Sequence, residues 1–147
     1  MFQFTDKDFQ KIEAVLEGKF INEEHSKRMV LENSDDNRKI SLEIYNMIPI
    51  GKQHGNLISV YTTSAHLQLH FCTGYVISEV LGEVTFVAEL QGRLSGLIIE
   101  KGAACSLYAN VDAQLLSGDF TRLGPEVMLS GIALSLAENV LPEKLFP

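Results

Sequence analysis

The chain has 147 residues, 46% hydrophobic and 21% charged, the proportions of an ordinary globular protein long enough for one sizeable core. Twelve basic residues against 19 acidic ones leave a net charge of −7, which argues against a protein that grips phosphate backbones, so no nucleic-acid partner is expected. The start "MFQFTDKDF" lacks the basic and apolar regions of a signal peptide, and the longest apolar stretch, Val127 to Leu141, is too short and too interrupted to span a bilayer. Cys72 and Cys105 make neither a disulfide framework nor a CxxC site. A reduced, cytoplasmic setting away from membranes is the expectation. No repeat or linker divides the chain, so residues 1–147 are expected to form a single domain.

Thr5 is a suitable helix N-cap, and Asp6 and Asp8 complement the dipole of the first turn. Phe9, Ile12, Val15, Leu16 and Phe20 follow helical spacing, which predicts an amphipathic helix from Asp6 to Lys19. "SKRMVLE" reads as a strand in preference to a second short helix, because "NSDDN" behind it is a tight polar turn and "RKISLEIYNMIPI" is extended. Further runs follow at short intervals: "LISVYT", "HLQLHF", "VTFVAEL", "RLSGLIIE" and "ACSLYANV". A flip of alternation near Thr63–Ser64 marks a turn or bulge, and "GYVISEVLGE" fits a strand or a helical turn. Strands joined by such short turns pair antiparallel, giving a meander of about six to eight strands.

Pro125 and Glu126 open a final helical segment that Pro142 closes. Its apolar residues, from Val127 to Leu141, cover nearly the whole circumference, so this helix is expected to be buried. The fold class expected is therefore α+β: an N-terminal helix, an antiparallel meander forming a curved or barrel-like sheet, and a buried C-terminal helix. Either the sheet curls around that helix or a second subunit covers it, which makes a homo-oligomer an expected partner.

"SAHLQLHF" contains the most suggestive pattern, two histidines four residues apart. On a helix His66 and His70 would share one metal, but on a strand a rise of about 3.3 Å per residue separates them by about 13 Å. Alternation with Leu67, Leu69 and Phe71 favours the strand, so no metal and no cofactor is assigned. What remains is a polar row, His66, Gln68 and His70, inside a stretch from Lys52 to Arg93 that holds no other Lys or Arg. Such a row can bond a small molecule or line an interface. Tyr61 joins it as a candidate ligand-binding residue. Thr121 and Arg122, in "GDFTRLGPE" before the C-terminal helix, could receive an anion at the helix N-terminus.

Catalysis finds little support, and no catalytic residue is assigned. Ser130 lies in "LSGIA", not in a nucleophile elbow, and Glu79, Glu83 and Glu89 suit surface roles. The leading expectation is a non-enzymatic protein binding a small, partly apolar ligand between the curved sheet and the C-terminal helix. The alternative is a homo-oligomeric interaction module without a small ligand; a His-dependent acid–base enzyme ranks third.

Overall fold

The computed structural model describes residues 2–63, 65–90, 93–109 and 116–118. Helix α1, Asp6–Leu16, begins where the sequence places it. The Asp8 amide donates to the Thr5 hydroxyl at 3.3 Å while the Thr5 amide donates to the Asp8 carboxylate at 2.8 Å, a capping box that satisfies two otherwise orphaned donors. Glu17 then takes the left-handed conformation, φ 56°, and ends the helix before the expected Lys19. The Phe20 amide turns back onto the Glu13 carboxylate at 2.7 Å.

Among the described residues ten strands follow, arranged in two sheets rather than one meander of six to eight, and they form no closed barrel. β1 (Ile21–Asn22), β2 (Lys27–Asn33), β3 (Arg38–Ile50), β4 (Gln53–Tyr61) and β5 (His66–His70) form consecutive antiparallel neighbours, and β10 (Leu116–Gly118) returns to pair with β5. β6 (Gly74–Ser78), β7 (Glu83–Leu90), β8 (Arg93–Glu100) and β9 (Ala104–Ala109) make the second, four-stranded sheet. "GYVISEVLGE" thus resolves into a strand, a turn and the start of the next strand. The expected C-terminal helix, with Ser130, lies outside the described residues.

The chain changes sheets over Phe71–Thr73. Phe71 has φ 58°, and the next two amides bond in opposite directions: Cys72 to the Asn56 carbonyl in β4 at 3.0 Å, Thr73 to the Val87 carbonyl in β7 at 2.8 Å. Buried Asn56 fastens this corner. Its side chain donates to the carbonyls of Phe2 and Cys72 at 2.8 and 3.1 Å and accepts from the Met47 amide at 3.0 Å. Met47 sits with φ 47° in the irregularity where the β3–β4 register shifts.

One contiguous core joins both sheets and the helix. Leu42, Ile44, Ile58, Val60, Leu67 and Leu69 of the larger sheet meet Val84, Phe86, Leu97 and Ile99 of the smaller, with Phe4, Phe9, Ile12 and Leu16 packed in. Burial of each such side chain contributes about 1.5–3 kcal/mol. The central strands of the smaller sheet, β7 and β8, are buried on both faces. Thr85, Val87 and Ile98, which alternate with the core residues, are only 3%, 1% and 1% exposed. Near-continuous apolar runs such as "VTFVA" and "GLII" are what a doubly covered sheet requires.

Candidate functional site

The larger sheet keeps its second face polar. Strict alternation in β5 buries Leu67 and Leu69 in the core and turns His66, Gln68 and His70 the other way, where they are half-buried. Register carries the same face across the strands. Val30, Ser41, Tyr61 and His66 lie side by side, as do Arg28, Glu43, Ser59 and Gln68, and then Tyr45, Leu57 and His70. Of the candidate residues named from sequence, Tyr61, His66, Gln68 and His70 therefore share one surface; Thr121 and Arg122 lie outside the described residues.

Tyr61 and His66 are cross-strand partners whose rings stack, 4.1 Å between centroids and 3° between planes. Beneath them Ser59, 2% exposed, has its hydroxyl 2.9 Å from His66 Nε2. Gln68 Oε1 lies 3.3 Å from His70 Nε2. Tyr45 donates its hydroxyl to the Glu43 carboxylate at 2.5 Å, and that bond, helped by burial, pushes the phenol up to about 12. The result is a band of hydroxyl, imidazole and amide groups around one exposed aromatic ring.

Ser59 gains its partner His66 through cross-strand register, which spacing does not show, whereas Glu43 and Tyr45 stand two apart on one strand face, a spacing that could have found them. The usable signal is parity: in "NLISVY" the polar Ser59 and aromatic Tyr61 alternate with Ile58 and Val60.

This arrangement suits binding better than chemistry. A serine hydroxyl beside an imidazole is the beginning of a nucleophile–base pair. Ser59, however, is only 2% exposed, and its backbone is paired opposite Glu43 on one side and Gln68 on the other. Ladder amides so committed do not form an oxyanion site. The buried Cys72 thiol is pushed up to about 12 by burial, far from a reactive thiolate. Glu83 is raised by burial and then by Glu100, its cross-strand partner, which is a like-charge effect within the ladder of the smaller sheet. Among the described residues no group of three or more His, Cys, Asp or Glu side chains could hold a metal ion, and no helix is long and apolar enough to cross a membrane. Comparison with protein-family models, with curated proteins and with solved structures finds no match for this chain.

Proposed function

We propose that the protein is a non-enzymatic binding protein that takes a small, partly apolar, planar ligand on the outer face of the six-stranded sheet. The observation that carries this reading is the Tyr61–His66 stack, flat and 46% exposed at Tyr61, seated on a buried serine. An aromatic plate of this kind offers apolar area at small entropic cost, and the neighbouring polar groups fix orientation. Gln68 and His70 supply hydrogen-bonding groups along the same strand, and in the next row Arg28 stands beside Glu43, so the face presents both signs of charge. A heteroaromatic molecule with polar edges matches that chemistry.

Native mass spectrometry of the protein isolated from its own cells tests the reading. Wild type is expected to carry a small molecule that Tyr61→Ala loses, with His66→Ala weakening retention by about tenfold, or 1.4 kcal/mol. Absence of any adduct, or equal retention by Tyr61→Ala, overturns it.

A further inference from the structure

A different surface carries an independent inference. The β6–β7 turn places Val80 and Leu81 at its tip, 96% and 56% exposed, where turns ordinarily carry polar residues. The tip is held firmly. The Leu81 amide donates to the Ser78 hydroxyl at 3.2 Å, Gly82 adopts φ 64°, and the Lys101 amide donates to the Gly82 carbonyl at 2.9 Å. Two aliphatic side chains are thus presented to water on a fixed support.

Beside the tip runs an open groove of about 840 Å³ between α1 and the smaller sheet. Ala14, Val15 and Ile77 give it an apolar lining, and Glu79 and Gly82, which flank the tip, form part of its wall. Lys11, Glu17, Glu79 and Lys101 complete the lining, with Lys101 Nζ 3.1 Å from the Glu17 carboxylate. On a chain of net charge −7 this region is balanced, two positive groups against two negative.

We propose that this surface is a two-fold self-association site, in which Val80 and Leu81 of each copy enter the groove of the other. A two-fold interface requires one patch that complements itself. A projecting apolar tip adjoining a groove partly lined by Ala14, Val15 and Ile77 is such a patch, since rotation brings each tip over the partner's groove. The charges agree: the same rotation can set the lysines of one rim against the glutamates of the other, while the local balance removes the repulsion two acidic chains would otherwise feel. An unrelated partner would have to supply both an apolar knob and a matching hole, whereas a second copy carries both.

Sedimentation of the full chain tests the proposal. Wild type is expected to dimerise, and Val80→Asp to weaken dimerisation by at least about tenfold. Because Val80 is almost wholly exposed, the thermal midpoint of the variant monomer is expected to match that of wild type. Lys11→Glu and Glu79→Lys should each weaken the dimer, and combining them should restore it. Mixing Val80→Cys protein with Ala14→Cys protein should give a disulfide between copies under mild oxidation, since the native cysteines, Cys72 and Cys105, are buried. A wild-type chain that stays monomeric up to about 0.1 mM, or a dimer indifferent to Val80→Asp, overturns the proposal.

Discussion

The two sheets are both antiparallel and share one core, yet they differ in how many faces they bury. In β5 neighbouring residues have opposite fates: Leu67 is sealed in the core and Gln68 is half-buried on the outer face. In β8 the neighbours Leu97 and Ile98 also point to opposite faces, but both are sealed. A sheet covered on both sides holds the fold together and has little freedom to exchange contacts. A sheet with one polar, half-covered face can gain or lose a partner there without disturbing the core.

The comparison breaks first, if it breaks, at those neighbours. Leu97→Ala and Ile98→Ala are each expected to cost about 2–5 kcal/mol in denaturant titrations, and Leu67→Ala the same. Gln68→Ala is expected to cost less than about 1 kcal/mol. An Ile98→Ala cost as small as that of Gln68→Ala would show that the second face of the smaller sheet is not sealed.

Next in size is the joint between the sheets. Asn56→Ala removes three hydrogen bonds and leaves the carbonyls of Phe2 and Cys72 and the amide of Met47 without that partner. The expected loss is about 3 kcal/mol, because stranded backbone groups cost more than the net value of the bonds themselves. Hydrogen exchange sharpens the point: Asn56→Ala should accelerate exchange of the Cys72 and Thr73 amides, which bond to different sheets, before that of the β7–β8 ladder.

A smaller effect ties the helix to the smaller sheet. Tyr75 in β6 donates to Asp8 in α1 at 2.5 Å, and Asp8 also accepts from the Thr5 amide and hydroxyl. Partial burial alone would raise this carboxyl, but the bonds from Tyr75 and Thr5, with Lys11 nearby, hold it below its ordinary 3.8. A carboxylate lowered by folding stabilises the protein above its unfolded value, near pH 4, and that contribution disappears as pH falls through the lowered folded value. Tyr75→Phe is expected to cost about 1.5 kcal/mol at neutral pH. Urea midpoints followed downward from pH 6 should show less acid-dependent loss in Asp8→Asn than in wild type. An identical acid limb in the two proteins would remove Asp8 from the account.

Much of this contrast was legible in the residues. Alternation in "HLQLH" gave the strand and its polar face, Thr5 and Asp8 gave the start of α1, and the apolar run in "GLII" already suggests a doubly covered strand. The helix end was read too late because the chain leaves the helix through Glu17 in a left-handed conformation that no spacing announces. The division into two sheets was invisible for a similar reason: it rests on Phe71 at φ 58° and on bonds from residues 72 and 73 to residues 56 and 87. Val80 and Leu81 prolong an apolar run in "GYVISEVLGE" and blur the turn, although in the fold both are exposed. Hydropathy patterns assume that apolar residues are buried, so an apolar surface tip misleads them.

The finest test lies within the polar face itself. The Ser59 hydroxyl stands 2.9 Å from His66 Nε2 while Tyr61 stacks on the imidazole from the same side of the sheet. If the bond serves to orient the ring, Ser59→Ala costs about 1 kcal/mol and changes the ¹⁵N shift of Nε2 much more than that of Nδ1. Ligand retention would then survive in Ser59→Ala and fail in Tyr61→Ala, because the apolar plate supplies contact area and the hydroxyl supplies only alignment. The reverse order, with Ser59→Ala abolishing a chemical turnover and Tyr61→Ala leaving it unchanged, would overturn the proposed binding role of this face in favour of catalysis. Burial of Ser59 opposes that reversal, since a nucleophile must meet its substrate and this hydroxyl, on a residue only 2% exposed, is turned to His66.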